Sequence, residues 1–222
     1  MSSENKTPLL IVGTGGHALV IADAAIQSGQ FDLRGFLDQM PASKGTTILG
    51  VPVLGDLELV KTGEHRDAAI IIAVGNNTTR ERVVAELEKG GCSFATVIHP
   101  SATLGSKTSI GEGTVIMAGS IINPGTSIGR HVIVNTHASI DHHCQIGDFA
   151  HISPGVALAG GVVVGSRCHV GIGASVIERV EIGADTVIGA GAAVTESIPA
   201  GVVAVGVPAR VARQRTEETK LG

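Results

Sequence analysis

The sequence is nearly without aromatic side chains. Its 222 residues hold four phenylalanines, Phe31, Phe36, Phe94 and Phe149, and neither tyrosine nor tryptophan, while hydrophobic residues still make up 43%. A core without large rings has to be filled by Val, Ile, Leu and Ala, which favours thin, regularly stacked layers over a thick globular centre. Cysteine is scarce too: Cys92, Cys144 and Cys168 form no Cys-x-x-Cys pair and no disulfide framework. No apolar run is long enough to span a bilayer, and residues 1–8 are polar, lacking the apolar centre of a signal peptide. The expectation is a reduced, cytoplasmic protein. Positive charge is not in excess either; the formal net charge of −4 argues against nucleic acid as a partner.

What is present divides into two grammars. Over residues 9–98, apolar runs alternate with helical spacing. Leu9, Leu10, Ile11 and Val12 end at Gly13 like a buried parallel strand. Residues 16–28 place Leu19, Ala22, Ala25 and Ile26 at helical intervals before a stop at Gly29. Residues 33–37 and 69–74 read as two further strands. Thr78 with Glu81 predicts a capping box for a helix carrying Val83, Val84 and Leu87 and ending at Gly90 and Gly91. That order implies a small parallel sheet with helices on its faces.

From Ile98 the period becomes six. Aliphatic residues recur at Leu104, Ile110, Ile116, Ile122, Ile128, Val134, Ile140, Ile146, Ile152 and onward to Val194. A small or β-branched residue follows four places later, as at Thr114, Ser120, Ala138 and Cys144. Neither a helix nor a strand alternation gives this period. Short strands joined by sharp bends do, three to a coil, so that 18 residues return the chain to the same edge one coil later. The inward small position also accounts for Cys144 and Cys168 as packing residues. The expected organisation is an α/β, Rossmann-like domain over 1–97, a parallel β-helix of hexapeptide repeats over 98–200, and a tail over 201–222.

The 18-residue return gives histidine positions a geometric meaning. It sets His142 near Gly160 and His151 near His169. His142 and His143, beside Asp141, fall at a bend; a lone bend histidine is ordinarily solvated, and the pair raises the odds of chemistry. Near the start, Gly13-x-Gly15-x-x-Ala18 nearly matches a dinucleotide fingerprint, with Asp38 some 20 residues after Ala18. Taken alone it reads equally as a phosphate cradle or a tight structural turn.

Together these features resemble a known family: the bacterial left-handed β-helix acyltransferases, and among them the enzymes that N-acetylate nucleotide-linked 4-amino-4,6-dideoxy sugars of the bacillosamine and perosamine type. The marks are Gly13-Thr14-Gly15-Gly16-His17, Val74-Gly75-Asn76-Asn77, Asn135, the run from Ile140 to Gly147 that holds Asp141-His142-His143, His151-Ile152-Ser153-Pro154-Gly155, and Val205-Gly206-Val207-Pro208-Ala209-Arg210. The resemblance covers nearly the whole chain. It implies His142 as general base and the Gly160 amide as oxyanion donor; with no Cys or Ser obviously paired with a base, direct attack by the amine is expected in place of an acyl-enzyme. It implies Gly13, Gly15, Gly16, His17, Asp38, Asn76, Asn77 and Asn135 around the nucleotide-linked sugar. His151, Gly160 and Arg210 are expected near acetyl-CoA, the co-substrate. A homotrimer is implied, and no metal. Relatives often carry an acid where His143 stands; His143 and Asp141 are therefore open as orienting groups.

Three rivals remain at this level. An O-acetyltransferase acting on a sugar such as sialic acid differs only in its acceptor. A metal enzyme of the β-helix carbonic anhydrase kind is suggested by the five-residue spacing of His137 and His142, though Ser101 stands where a third histidine is needed. A non-catalytic nucleotide sensor would use the front domain alone.

Overall fold

The computed structural model describes residues 6–39 and 44–216; residues 1–5, 40–43 and 217–222, including the outer ends of the expected first domain and tail, lie outside the described residues. The apolar run of β1 (Thr7–Val12) forms the inner strand of a small sheet, joined through α1 (Gly16–Ser28) to β2 (Phe31–Leu37). There follow β3 (Thr47–Ile48), β4 (Val51–Gly55), the short α2 (Glu58–Lys61), β5 (Ala69–Ile72) and α3 (Asn77–Lys89). The strand order is β3-β4-β2-β1-β5, with only the β3–β4 pair antiparallel. The chain leaves β1 towards β2 on one side and returns as β5 on the other. The crevice between β1 and β5 is therefore the switch point where doubly wound sheets hold ligands.

Three expectations are corrected. The third strand stops at Ile72, not residue 74, so Val74 belongs to the loop that follows. The cap of α3 is Asn76, whose side chain accepts the Thr79 N–H at 2.9 Å; the Thr78–Glu81 box does not form. Asn76 can extend its oxygen over the first turn because its own backbone is extended, with ψ 120°. In α1, Leu19 and Ile26 are exposed, while Ala18, Ile21, Ala22, Ala24 and Ala25 are buried. The helix is gripped between the sheet and the β-helix, where it packs with Leu9, Ile11 and Ile71 on one side and Val115, Met117 and Ile133 on the other. Two close surfaces call for small residues, which the simple apolar stripe did not anticipate.

From β6 (Val97–Ile98) to β22 (Ala193–Val194) the chain makes two-residue strands separated by bends, winding as a left-handed parallel β-helix. From β6 to β19 each strand pairs with the one 18 residues on, as in Ile122↔Ile140 and Ile140↔Leu158. Three faces result. The first holds His151 and His169, the second Ser139 and Ala157, the third Gln145 and Val163. Aliphatic and small residues alternate inward and fill the prism without rings; Cys144 and Cys168 are fully buried among them. β23 (Val202–Val205) extends the first face in parallel, and β24 (Arg210–Gln214) turns back antiparallel against it. Among the described residues no helix is long and apolar enough to cross a membrane.

Close stacking makes some glycines indispensable and others not. A Cβ added at Gly147 would stand 2.6 Å from the Ser166 nitrogen of the next coil, whereas Gly155, at φ +67°, has open space around it. Gly147→Val is expected to lower stability by about 1–3 kcal/mol through overpacking. Gly155→Asn, a residue that tolerates left-handed backbone, should cost less. Urea unfolding of both variants checks the difference.

Candidate acyl-transfer and nucleotide-sugar site

The carboxyl ends of β1, β2 and β5 gather most of the front-domain residues singled out from sequence. Gly13 has φ +113° and passes so near Ala73 that an added Cβ would lie 3.0 Å from its carbonyl oxygen. Only glycine allows that approach between the two loops. Thr14 donates its hydroxyl proton to the Asp38 carboxylate, tying the β1–α1 loop to the end of β2. Gly15 and Gly16 open α1, and His17 in its first turn stacks on His151 with ring centroids 6.4 Å apart. His151 in turn meets His169 at 4.6 Å.

A cleft of about 750 Å³ runs from Gly75, Asn76 and Asn135 past His151 and His169 along the first face, ending at Val205 and Arg213. Asn135 sits at the corner between the first and second faces, where its side-chain nitrogen lies 3.3 Å from Nε2 of His151. Asn77, expected beside Asn76, is not part of this cleft. Its side chain is fully buried and donates to the carbonyls of Arg167 and Cys168 at 3.0 and 2.9 Å. Arg210 also lies elsewhere, exposed and 3.7 Å from Glu196. The cation on the cleft is Arg213.

Sequence reading missed Arg80. It is 1% exposed, and burial brings its guanidinium down to about 9, still charged at neutral pH. It donates to the carbonyls of His131 and Phe149 on the β-helix at 2.9 and 2.8 Å, to Val74 at 2.9 Å, and to the Asn77 side chain at 2.9 Å. A signal was there: Arg80 shares the helical stripe of Val83, Val84 and Leu87, a face that is otherwise apolar.

The second constellation lies on the corner between the second and third faces. The His142 carbonyl accepts the Gly161 N–H of the next coil at 2.9 Å, which aligns the two bends. The imidazole of His142 lies against Gly160, where an added Cβ would stand 2.6 Å from Cε1 and 2.7 Å from Nε2. The Gly160 N–H has no backbone acceptor among the described residues. Nδ1 of His142 is 3.0 Å from Nδ1 of His143, so one of the two carries the shared proton. Asp141 takes the His142 N–H at 2.7 Å and the Asn123 amide at 2.8 Å, and these donors hold its carboxyl below the usual range. Asp141 thus fixes the backbone of the corner, not the imidazole. His137 stands one corner earlier, and among the described residues no three His, Cys, Asp or Glu side chains gather to hold a metal ion. Within one chain the cleft and His142 occupy successive corners of the prism.

Comparison with known proteins follows the same division. Residues 8–87 match the profile of the PglD N-terminal domain, and residues 107–142 that of the bacterial transferase hexapeptide (six repeats). The curated UDP-N-acetylbacillosamine N-acetyltransferase of Bacillus subtilis is 43% identical over 105 residues, 46% of this chain and 48% of the relative; the match spans about half the relative's length. A histidine-to-asparagine variant of perosamine N-acetyltransferase from Caulobacter crescentus, solved with CoA and GDP-perosamine, is 38% identical with a TM-score of 0.86, covering 92% of this chain and 96% of that one. The acetyltransferase domain of PglB from Neisseria gonorrhoeae, solved with acetyl coenzyme A, is 33% identical with a TM-score of 0.85, covering 93% and 99%.

The buried imidazoles have a consequence for acid stability. Burial, with the Arg80 charge, pushes His17 and His169 down to about 4. His131, packed between Phe94 and Phe149, falls to about 4 through burial first and the Arg130 charge next. An unfolded histidine titrates near 6.5, so below that pH the unfolded chain binds protons that the folded one refuses. Their contribution is fully present above pH 6.5 and is lost as pH falls towards 4. His131 alone accounts for up to about 3 kcal/mol. Thermal denaturation should therefore shift to lower temperature steadily between pH 7 and pH 5; a flat profile would mean these rings are hydrated.

Proposed function

The chain belongs to the hexapeptide-repeat sugar N-acetyltransferases that join a PglD-type N-terminal domain to a left-handed β-helix, acetyl-CoA-dependent enzymes, and on that premise we propose that it transfers an acetyl group from acetyl-CoA to the 4-amino group of a nucleotide-linked amino-dideoxy sugar. The observation that carries this reading is the His142 ring packed on Gly160, whose N–H is unspent. In the reaction the sugar amine attacks the thioester carbonyl and a C–N bond forms. The oxygen that gains charge is held by the Gly160 N–H. His142 Nε2 removes the proton from the nitrogen, the C–S bond breaks, and the thiolate of CoA takes that proton on leaving. His143 serves as acceptor for the Nδ1 proton of His142, which leaves Nε2 free as the base. Asp141 keeps the corner in place. The Caulobacter relative was solved with a histidine replaced, and it holds CoA and a GDP-linked sugar together, both of which support this assignment.

In this proposal residues 1–97 receive the nucleotide-linked sugar, 98–200 carry the transfer, and the tail from 201 borders the carrier. Acetyl-CoA lies along the first face: the apolar stretch at Ile172, Val187 and Val205 suits the pantetheine arm, and Arg213 a phosphate. The cleft and the base stand on different corners, so a complete site needs two copies, as in a homotrimer. The small outward residues Ser139, Ala157, Ser175 and Ala193 of the second face let another prism approach.

Thiol release from acetyl-CoA, measured against a panel of UDP-, dTDP- and GDP-linked 4-amino sugars, tests the reaction and names the acceptor. His142→Asn is expected to lower kcat ~10²–10⁴-fold with a small effect on the acetyl-CoA KM. Gly160→Ala, which displaces the ring, should lose a comparable factor. Turnover unchanged in both would remove the assignment of the base. For the shared site, His142→Asn subunits refolded with Asn135→Ala subunits should regain part of the activity each lacks alone; no recovery in verified mixed oligomers rejects the two-copy site.

A further inference from the structure

The loop between β5 and α3 has its carbonyls turned inward. Arg80 donates through Nη1 to Val74 O at 2.9 Å and to Gly75 O at 3.3 Å. In a trans peptide the C=O and N–H point opposite ways. The N–H groups paired with these two carbonyls belong to Gly75 and Asn76, and they face away from Arg80. Both residues line the cleft, and neither N–H has a backbone acceptor among the described residues. The remaining guanidinium protons go to His131 O, Phe149 O, Ala150 O and the Asn77 side chain. None of these acceptors is a carboxylate, so the buried positive charge beneath the loop is not neutralised by direct pairing. Near the loop His151 is nine-tenths buried, with Nε2 at 3.3 Å from the Asn135 side-chain nitrogen and no side-chain or backbone partner at hydrogen-bond distance from Nδ1 among the described residues. The cleft thus offers oriented donors with a cation behind them, beside a buried imidazole.

We propose that Arg80 is a positioning residue that makes the β5–α3 loop a receptor for the diphosphate of the nucleotide-linked sugar, with the N–H groups of Gly75 and Asn76 as its donors. The proposal rests on the reading of the cleft as the nucleotide-sugar site. An arginine is required because its planar fork reaches carbonyls on two separate coils and on the loop together. Lysine carries the charge but has neither the number nor the spread of donors.

The test is titration calorimetry of the full-length protein with UDP, dTDP and GDP, alongside KM values for the sugar substrate and for acetyl-CoA. Arg80→Lys is expected to weaken the best-bound nucleoside diphosphate and raise the sugar KM by about 10- to 100-fold, the range for hydrogen bonds to charged groups. The acetyl-CoA KM should change little. Arg80→Met, which also removes the charge, should lose more. Because Arg80→Met can fail to fold, a second pair isolates the donor: Asn76→Pro deletes the N–H at a φ of −71° that proline accepts, and Asn76→Ala removes only the side chain. The proline variant is expected to bind about 10-fold more weakly than the alanine variant. Folded Arg80→Lys protein with unaltered diphosphate affinity, or equal binding by the Asn76 pair, overturns the role of Arg80. Wild-type protein that binds none of the three diphosphates overturns the reading of the cleft itself. Equal losses for the sugar and acetyl-CoA would show general structural damage and likewise reject a positioning role.

Discussion

Each coil of the prism is bonded to the next by peptide groups offset by 18 residues, and that offset decides which side chains can meet. The Gly161 N–H donates to the His142 carbonyl, the Arg179 N–H to the Gly160 carbonyl, and so on up the corner. With every bend locked to its neighbours, the His142 ring lies against Gly160 of the next coil. Side-chain volume is equally constrained: a Cβ at Gly147 or Gly165 would press on the backbone of the next coil. The precision of the corner comes from stacking, with the Asp141 carboxylate holding the His142 N–H and the Asn123 amide in addition.

This explains why the β-helix half could be read from sequence. A strict period carries its own coordinates, so pairs such as His151 and His169, or His142 and Gly160, follow from counting. The small inward residues Cys144 and Cys168 were interpretable for the same reason. In the α/β half, β1, α1 and β2 were legible through their apolar runs and the glycines that end them. The strands β3 and β4 were not, since β3 is only two residues long and Pro52 interrupts the apolar run of β4.

What stayed hidden depends on contacts distant in sequence. Arg80 meets carbonyls 51 and 69 residues away, and a carbonyl has no signature in a sequence. Asn77 looked like a companion of Asn76 because the two are adjacent, yet one caps a helix over the cleft while the other is sunk into the corner of the β-helix. A single step along the backbone separates a residue that lines the cleft from a structural bridge. Burial costs a guanidinium several kcal/mol unless its protons are satisfied, and here the two halves of the chain supply the acceptors jointly. The front domain and the β-helix are thereby fastened where the cleft needs them fixed. His17 against His151 marks the same seam from the other side.

The reversal at β24 bears on how the first face of the β-helix is closed. β23 prolongs the first face in the sense of every strand before it, and an open ladder of that kind is a template on which another chain can assemble. β24 runs the opposite way, is exposed along its length and carries Arg210 and Arg213. An incoming parallel rung finds the wrong polarity there and a row of like charges. On this face the hairpin therefore disfavours stacking of a further parallel strand, a hazard inherent in any structure built by repeated addition of identical steps.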